Sequence, residues 1–575
     1  MLIADWVADI FHKNSIKKIF LYPGGTIAPL INACLKMGIQ IECFKSEQGA
    51  GYAALAYARV TGKTQVVMVT SGPGVTNVIT PLADAFYDST PIIFITGQIG
   101  TKDLKSRSAV RQRGFQETPT VDLTRSLSKK ASCMLSMDDV FREVPEAFRL
   151  TVSDRKGPVV IDFPMDIQRL EFISKDLTAA VVPNLNSTEK QSIPSDSLIV
   201  AQVAAAAAKA KRPILLLGHG ALSAGIYNSY IEIANAMEAL VVTSFLGIGS
   251  YDTEDKNCLG YLGHTGHLAA NRAIYECDFL LVLGSRLDVR QTGTLVDQFV
   301  PDGNVAWVDS DHTELENPRV GVKWKIELDI ATFCEKFICE YKGRVTDIDN
   351  AWRSNIFLLK SEQIEDRPKE GSECLQPRPV LQCIRRLIGD AAITVTTGVG
   401  CHQHWAARHL SYRPLVRQLL TSGGHGTMGY DLPSAIGAAI AQPGRRILCI
   451  VGDGSLLMNI QELASLQERS LDVKILVMNN SRLGIVSQFQ LITWNADPTT
   501  GDFKSPDFMT IARGFGISAD RLDNAMDLER KMLAFWSEPG PALLDVIIDS
   551  EADVVPMLLG GQHMGEMWMG RTREP

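Results

Sequence analysis

The sequence lacks three features that would place it in a special class of protein. No run of 18 apolar residues occurs in its 575 residues, so we expect no membrane-spanning helix. Its 11 cysteines include no C-x-x-C pair, which argues against a zinc site, and their odd number argues against a disulfide framework. Lys+Arg 57 against Asp+Glu 65 gives a net charge of −8, so the chain is a poor candidate for broad nucleic-acid binding, which needs a basic face.

What remains is the composition of an ordinary globular protein, with 45% hydrophobic and 21% charged residues. The first residues, MLIADWVADIF, carry acids where a secretion signal needs basic residues, so we expect a cytoplasmic protein with free thiols. At about 150 residues per domain, the length predicts three or four domains.

Short, continuous runs of aliphatic residues alternate with helical segments and Gly-rich turns. Such runs are typical of parallel strands that are buried on both faces. Their alternation with helices predicts doubly wound α/β sheets. The clearest runs are VVMVT (66–70), PIIFITG (91–97), PILLLG (213–218), FLLVLG (279–284), ILCIVGDG (447–454) and VKILVMNN (473–480).

Two segments have the composition of linkers, because residues 176–198 are polar without periodicity and residues 360–378 are charged and contain prolines. Division at these segments predicts three domains, each large enough for its own core. Their predicted bounds are 1–175, 190–345 and 375–575. A weak internal echo joins the outer two domains, because the Gly-Tyr pairs at 51–52 and 429–430 each precede a helical stretch of small residues.

The most informative stretch is 447–480, where two predicted strands flank a helix and form one βαβ unit. One amphipathic helix is expected between the strands, with Met458, Leu463 and Leu466 on its apolar face. The crossover connects parallel strands, so both strands should end at the same edge of the sheet.

Polar side chains follow both strands of this unit. Asp453 and Asn480 fall at the carboxyl ends of neighbouring strands, where α/β sheets bind ligands. A carboxylate and an amide oxygen suit Mg²⁺, which shares its coordination with phosphate oxygens. The turn at Gly454-Ser455 opens the helix, so its free N–H groups can hold a phosphate. Taken alone, G-D-G is also compatible with Asp453 acting only as a helix cap.

The pattern G-D-G-S followed by N-N resembles the signature of enzymes that use thiamine diphosphate (ThDP). Further motifs narrow the resemblance to the acetohydroxyacid (acetolactate) synthase family and extend it over nearly the whole chain. They are YPGG (22–25), EQGAGYAALAYAR (47–59), TSGPGVTN (70–77), FQETP (115–119), TTGVG (396–400), HQHW (402–405), TSGGHGTMGYDLP (421–433) and PMLLGG (556–561). The resemblance implies three domains that bind, in chain order, the pyrimidine end of ThDP, FAD, and the diphosphate end with Mg²⁺.

At the pyrimidine end, Glu47 matches the glutamate that protonates the cofactor ring, so that the ring's own amino group acts as the base. Phe115 and Gln116 match positions that line the reacting centre, and this match depends wholly on the FQETP motif. The other matching positions are Gly25 at the reacting centre, and Pro73 and Asn77 in the loop beside the pyrimidine.

At the diphosphate end, the resemblance makes Met428 the apolar wedge that bends ThDP, and Gly426 the source of a carbonyl for its amino group. Asp453 and Asn480 become metal ligands, together with the backbone carbonyl of Arg482. The remaining cofactor-binding positions are Gly400, His402, Gly454 and Ser455.

The central segment resembles the FAD-binding domain of the same family, in which the flavin performs no redox step. Glycines at strand ends let the backbone approach a pyrophosphate, arginines can pair with it, and an acid can hold a ribose hydroxyl. The implied FAD-binding residues are Gly218, Gly220, Thr243, Leu262, Gly263, His264, Gly284, Arg286, Arg290 and Asp309.

The chain departs from the family mainly where the second substrate is expected. Phe489 replaces a usual Trp, Ile485 a usual Met, His425 a usual Leu and Cys401 a usual Gln. The stretch before Phe115 is also longer and basic. Its cations are Lys102, Lys105, Arg107, Arg111 and Arg113. Most charged loops of this kind are simply solvated, which is the favoured interpretation. The alternative is that the loop binds an anionic acceptor such as a nucleotide-linked sugar.

The leading interpretation is a ThDP-, Mg²⁺- and FAD-dependent carboligase. It would decarboxylate pyruvate and transfer the two-carbon unit to a small carbonyl acceptor, giving acetolactate from a second pyruvate. With a keto-sugar nucleotide it would give a branched-chain sugar, as in the yersiniose-pathway flavoenzyme of this family. A pyruvate oxidase and a non-catalytic flavin-binding paralogue stay open as alternatives. The family further implies a homodimer or tetramer with active sites at the dimer interface.

Overall fold

A computed structural model of the chain describes residues 1–104, 110–172, 194–368, 373–494 and 501–570. Three six-stranded sheets follow one another along these residues, and every pairing between their strands is parallel. The predicted fold class, three doubly wound α/β units, is confirmed.

The N-terminal sheet lies within residues 18–164. Its strands are β1 (Lys18–Leu21), β2 (Gln40–Cys43), β3 (Gln65–Val69), β4 (Ile92–Gln98), β5 (Lys130–Cys133) and β6 (Val159–Pro164). The accompanying helices are α1 (Ile3–Lys13), α2 (Ala28–Lys36), α3 (Glu47–Thr61), α4 (Pro73–Tyr87), α5 (Thr120–Thr124), α6 (Met137–Val152) and α7 (Met165–Gln168). The strand order is β2-β1-β3-β4-β6-β5.

The central sheet lies within residues 213–327. Its strands are β7 (Pro213–Leu217), β8 (Leu240–Thr243), β9 (Cys258–Tyr261), β10 (Phe279–Leu283), β11 (Asn304–Asp309) and β12 (Trp324–Glu327). The helices are α8 (Pro194–Ala207), α9 (His219–Ala224), α10 (Tyr227–Ala236), α11 (Leu268–Glu276), α12 (Val289–Thr292), α13 (His312–Glu316), α14 (Ile330–Tyr341) and α15 (Asn350–Ser361). The strand order is β12-β11-β10-β7-β8-β9. Because α8 begins at Pro194, the helix takes in the end of the linker predicted at 176–198, most of which lies outside the described residues.

The C-terminal sheet lies within residues 393–547. Its strands are β13 (Ile393–Thr397), β14 (Arg417–Thr421), β15 (Arg446–Gly452), β16 (Val473–Asn479), β17 (Ser518–Leu522) and β18 (Ala542–Ile547). The helices are α16 (Pro377–Ile388), α17 (Cys401–His409), α18 (Asp431–Ala441), α19 (Asp453–Met458), α20 (Glu462–Arg469), α21 (Gly484–Trp494), α22 (Phe508–Gly514) and α23 (Leu528–Ser537). The strand order is β14-β13-β15-β16-β18-β17.

The strand orders show where each sheet can bind a ligand. Numbered within their own sheets, the outer two both have the order 2-1-3-4-6-5, and the central one has 3-2-1-4-5-6, which is typical of dinucleotide-binding domains. Ligands bind in such sheets beyond the carboxyl ends of the two strands where the order reverses. These pairs are β1 and β3, β7 and β10, and β13 and β15.

The two outer domains share one hydrophobic core, because α3 and α18 cross at small residues. A Cβ atom added to Gly437 would lie 2.0 Å from the carbonyl oxygen of Ala53, so only glycine permits this approach. Beside the crossing, the rings of Tyr52 and Tyr430 pack edge to face, with centroids 5.5 Å apart. One continuous cluster of buried apolar side chains therefore runs from the N-terminal sheet into the C-terminal one.

The βαβ unit at 447–480 has parallel neighbouring strands, as predicted, but the single amphipathic helix predicted between them is wrong. Two helices, α19 and α20, replace it, and Met458 at the end of α19 exposes 52% of its surface. Asn459 interrupts the helix because its side chain donates to the carbonyl of Gly429, 2.8 Å away, in the neighbouring loop. Leu463 and Leu466 are buried as expected.

All 11 cysteines are free thiols. Within the described ranges, no helix has the length and hydropathy needed to span a bilayer.

Candidate active site

Glu47 and Asn77 meet at the carboxyl edge of the N-terminal sheet. Glu47 is the first residue of α3, whose N-cap Ser46 accepts a hydrogen bond from the Gly49 amide. Asn77 lies in the second turn of α4 and donates from Nδ2 to Glu47 Oε2 across 3.0 Å. Glu47 keeps only 8% of its surface exposed, so its carboxylate is held in place within a largely buried site.

Three other predicted pyrimidine-side residues, Gly25, Pro73 and Gln116, lie beyond the carboxyl ends of β1 and β3 or pack beside them. Gly25 follows β1, and a Cβ atom built on it would meet open space. Pro73 begins α4 after β3. Gln116 has a positive φ of 65° and packs against Gly72, where an added Cβ would lie 2.8 Å from the Gln116 Cβ. Phe115 exposes 86% of its surface.

At the C-terminal switch point, polar contacts converge on Asp431. Its Oδ1 lies 3.0 Å from Nε2 of His402, and its Oδ2 accepts from the Ser455 hydroxyl at 2.5 Å. The Ser455 hydroxyl also accepts from the backbone amide of Gly429 at 2.9 Å. Asp431 thus ties α17, α18 and α19 together, and sequence reasoning missed it. The available signal was its position as the acidic residue of the GYDLP motif at 429–433.

Glycines make room around His402. Cβ atoms added to Gly400 and Gly452 would lie 3.0 Å and 2.9 Å from Nδ1 of the imidazole. Gly400 also has a φ of 142°, which side chains rarely tolerate. The carboxyl end of β15 can therefore come close to α17, and only backbone atoms of these glycines lie next to His402 on this side.

Met428 and Gly454 lie close together at the same edge. An added Cβ on Gly454 would lie 3.5 Å from Cε of Met428 and 2.8 Å from Cδ2 of Leu483. Met428 therefore reaches the first turn of α19 from the loop after β14. Gly426, in the same loop, has a φ of 74°.

The predicted metal ligands follow β15 and β16, in which Gly452 pairs with Met478. Asp453 is buried, its Oδ2 accepts from the Ser505 hydroxyl at 2.8 Å, and burial raises the pKa of its carboxyl. Asn480 Oδ1 accepts from the Arg482 amide at 3.2 Å. The Arg482 guanidinium instead pairs with Asp502 at 2.5 Å.

The donors fit a cation shared with a phosphate better than a closed protein cage. Within the ranges that the structure describes, no group of three or more His, Cys, Asp or Glu side chains is suited to a metal. One carboxylate, one amide oxygen and a carbonyl leave positions for phosphate and water, as Mg²⁺ prefers.

A cavity opens at the switch point of the central sheet and reaches the N-terminal domain. Seven of the ten predicted FAD-binding residues line it: Gly220, Leu262, His264, Gly284, Arg286, Arg290 and Asp309. Burial raises the pKa of Asp309 to about 6. Arg155 and Lys156, from the N-terminal domain, add two cations that sequence reasoning missed. Their R-K-G-P stretch directly before β6 was the available signal.

Three predicted FAD-binding residues do not line this cavity. Added Cβ atoms on Gly218 and Gly263 would lie 2.1 Å and 2.2 Å from the carbonyl oxygens of Gly284 and Arg290. These glycines therefore serve close backbone packing. Thr243 lines a separate cavity between the central and C-terminal domains.

The predicted acceptor residues fall into two places. Ile485 and Phe489 lie one turn apart on α21, with Ile485 packed on the C-terminal core and Phe489 53% exposed. His425 instead stacks on Tyr87 of the N-terminal domain, with ring centroids 5.6 Å apart. In the basic loop, Lys102, Arg111 and Arg113 are exposed, and Lys105 and Arg107 lie outside the described residues.

Comparison with protein families agrees with this geometry. The N-terminal TPP binding domain of thiamine pyrophosphate enzymes matches residues 1–124. The central domain of these enzymes matches residues 200–337, and the C-terminal TPP binding domain matches residues 398–546. The three domains are those of a thiamine pyrophosphate enzyme.

Full-length relatives narrow the class. The acetolactate synthase isozyme 2 large subunit of Escherichia coli is 34% identical over 568 residues, covering 98% of both chains. Acetolactate synthase 1 of Zea mays, chloroplastic, is 34% identical over 99% of this chain and 89% of its own. The mitochondrial catalytic subunit of Saccharomyces cerevisiae is 33% identical over 97% of this chain and 82% of its own. The chain therefore belongs to the acetolactate synthase family and is a ThDP-dependent transferase of the carboligase type.

Proposed function

We propose that the protein decarboxylates pyruvate and joins the resulting two-carbon unit to a carbonyl acceptor, with ThDP and Mg²⁺ at the outer switch points. Bound ThDP supplies the electron sink for this chemistry. The observation that carries the proposal is the buried Glu47–Asn77 pair at one switch point, together with Asp453 and Met428 at the other.

Each residue has a distinct task in this scheme. Glu47 holds a proton at a ring nitrogen of the pyrimidine, and Asn77 fixes the orientation of its carboxylate. Asp453 and Asn480, with the Arg482 carbonyl, hold Mg²⁺ against the diphosphate. Met428 and the Gly426 carbonyl position the aminopyrimidine.

FAD is the proposed occupant of the central cavity. Its support is the dinucleotide-type strand order and four cations, Arg155, Lys156, Arg286 and Arg290, which suit a pyrophosphate. The C-terminal PMLLGG motif also reaches this site, because the Leu558 amide donates to the His264 carbonyl at 2.7 Å. The flavin is assigned a structural role, as the family resemblance implies.

Two copies of the chain complete the active site in this proposal. Phe115, predicted to line the reacting centre, exposes 86% of its surface in the single chain. A C₂ dimer in which the N-terminal switch point of one copy faces the C-terminal switch point of the other would cover this ring and create two equivalent sites. The free thiols agree with a reducing compartment such as the cytoplasm.

The names of the relatives favour a second pyruvate as acceptor, giving acetolactate. The exposed Arg111 and Arg113, beside Phe115, favour a second candidate, a phosphorylated keto-sugar acceptor. The deciding experiment incubates the protein with pyruvate, ThDP, Mg²⁺ and FAD, adds single acceptors, and identifies products by mass spectrometry. We expect acetolactate with pyruvate alone. Failure to consume pyruvate with any acceptor, in protein shown to bind ThDP, would overturn the proposal.

A further inference from the structure

The segment at 422–428 forms most of the connection from β14 to α18 and carries both Gly426 and Met428. We name it the Met428 loop. It contains four glycine or serine residues before its threonine and methionine, S-G-G-H-G-T-M, so its own backbone preferences leave it many conformations. Side chains outside the loop must therefore fix its shape.

Asp88, the C-cap residue of α4 in the N-terminal domain, holds the start of the loop. Its Oδ2 accepts from the Gly423 amide at 3.0 Å, and its Oδ1 accepts from the Gly424 amide at 2.7 Å. The Asp88 side chain is buried and lies 3.7 Å from the guanidinium of Arg59. Both carboxylate oxygens are thus engaged by loop backbone.

Asp84, one turn earlier on α4, holds the rest of the loop through Ser422. The Ser422 hydroxyl donates to Asp84 Oδ1. The same hydroxyl accepts from the amides of Gly426 at 3.0 Å and Thr427 at 2.9 Å. Because the Ser422 hydroxyl donates its hydrogen bond to Asp84, its lone pairs are left to accept from those two amides.

Arg59 on α3 closes the arrangement at the base of the loop. Its Nη1 donates to the Thr421 carbonyl at 2.7 Å and to the Tyr430 hydroxyl at 3.3 Å. Side chains of α3 and of α4 with its C-cap residue thus bind two loop amides directly, orient through Ser422 the acceptor of two more, and contact the residues Thr421 and Tyr430 that flank the loop.

We propose that Asp84 and Asp88 are positioning residues for the Met428 loop, setting where the Gly426 carbonyl and the Met428 side chain stand against the aminopyrimidine. The inference rests on the proposed ThDP site. Neither acid touches the cofactor in this scheme, because Asp88 acts through loop amides and Asp84 through the Ser422 hydroxyl. The crossing of α3 and α18 already holds the two domains together, whereas these carboxylates bind two backbone amides and the Ser422 hydroxyl of one glycine-rich loop.

The first test uses cofactor-free protein and measures amide hydrogen exchange of the peptide spanning 422–428. Asp88→Asn removes one acceptor oxygen, and Asp84→Ala and Ser422→Ala remove the second anchor, so exchange in this peptide should accelerate in all three. The matched control is Asp162→Asn, because Asp162 is a buried acid of the same domain that accepts from Thr96 at 2.7 Å and Gln98 at 3.0 Å. It should leave exchange of the loop unchanged.

The second test uses ThDP and Mg²⁺. In the three loop variants, proton–deuterium exchange at the thiazolium carbon and kcat should fall by about 10²-fold, as expected for a displacement of about 1 Å at a reacting centre. The dissociation constant of ThDP–Mg²⁺ should stay near the wild-type value, because other residues hold the diphosphate. Asp84→Ala and Ser422→Ala should be non-additive when combined, since both remove the same anchor. Asp162→Asn and Ser422→Ala should be additive.

Loop variants that exchange amide and thiazolium protons as the wild type does would overturn the proposal. So would variants whose activity falls only in proportion to a lost melting temperature, as a purely structural role predicts. Wild-type protein that does not bind ThDP would instead refute the proposed function itself, so the two failures are distinguishable.

Discussion

The side-chain amide of Asn77 holds the carboxylate of Glu47 at 3.0 Å, which joins the N-terminal ends of α3 and α4 at the switch point of the first sheet. The bond engages Oε2 of the carboxylate. The two helices α3 and α4, which follow β2 and β3, thereby place their polar side chains in one site.

Glu47→Gln should keep ThDP and Mg²⁺ bound but slow proton loss from the thiazolium carbon by about 10²–10⁴-fold, the usual contribution of a positioned proton-transfer group. Proton–deuterium exchange followed by NMR measures this step directly. Gln48→Glu in the Glu47→Gln background is a useful control, because it restores the charge one position away. Wild-type exchange rates in Glu47→Gln would remove Glu47 from the mechanism.

Asp453→Ala should abolish retention of ThDP, because the diphosphate loses its bridging cation. Arg482→Ala should retain the cofactor, because its guanidinium pairs with Asp502 and only its backbone carbonyl is assigned to the metal. Metal and ThDP content after gel filtration are the measurements. The reverse pattern would show that the βαβ unit at 447–480 does not bind the metal.

Mixing Glu47→Gln chains with Asp453→Ala chains should restore activity if each site uses Glu47 of one copy and Asp453 of the other. Random pairing in equal amounts gives roughly a quarter of sites free of both changes. The assay follows pyruvate consumption after subunit exchange has been verified with differently tagged chains. Complete absence of restored activity would place each site within one chain.

Phe489→Trp should increase the preference for 2-ketobutyrate over pyruvate as acceptor. A change in pocket wall of this size alters discrimination by about 1–3 kcal/mol, so a shift of about tenfold is expected in competition assays with both acceptors. A strong preference for 2-ketobutyrate already present in the wild type would contradict this interpretation of Phe489.

Arg111→Ala with Arg113→Ala should raise KM for a phosphorylated keto-sugar and leave pyruvate decarboxylation unchanged, if this loop receives the acceptor. If the loop is only solvated, the double variant should match the wild type with every acceptor. Lys63→Ala with Lys209→Ala, two lysines outside the predicted site, is the control for loss of positive charge.

Stability should decrease from about pH 4 to pH 6 through Asp162. Burial raises the pKa of this carboxyl to about 6, so the folded protein binds the proton more tightly than the unfolded chain does. The contribution is complete below the unfolded pKa and is lost as pH rises through the folded one. It amounts to about 3 kcal/mol. Urea unfolding of wild type and Asp162→Asn at pH 4 and pH 7 should show this loss only in the wild type.

Much of the fold could be predicted because buried parallel strands have continuous apolar runs. The runs at 66–70, 213–218 and 473–480 fall on β3, β7 and β16. The helix break at Asn459 could not be predicted, because it depends on the carbonyl of Gly429, a tertiary contact. The Gly-Tyr echo has a physical reason, since Tyr52 and Tyr430 pack against each other where α3 and α18 cross.

The candidate site could be predicted only where a motif contains the chemistry. Glu47, Asn77 and Asp453 were visible in this way. Asp431 was not, because its role depends on His402 and Ser455 reaching it from two other helices. Gly218 was predicted to bind FAD, but the structure shows that it is needed for close backbone packing. A sequence does not distinguish a glycine required for packing from one required for a ligand.

The core that α3 and α18 share has a consequence for how the chain unfolds. Its cluster runs without interruption from Val67 to Val477, so neither outer domain can expose its half without exposing the other's. The N- and C-terminal domains should therefore melt in one cooperative transition, and residues 1–172 expressed alone should aggregate through the uncovered face of α3. Although they stand at opposite ends of the polypeptide, the two domains should therefore fold and unfold as one unit.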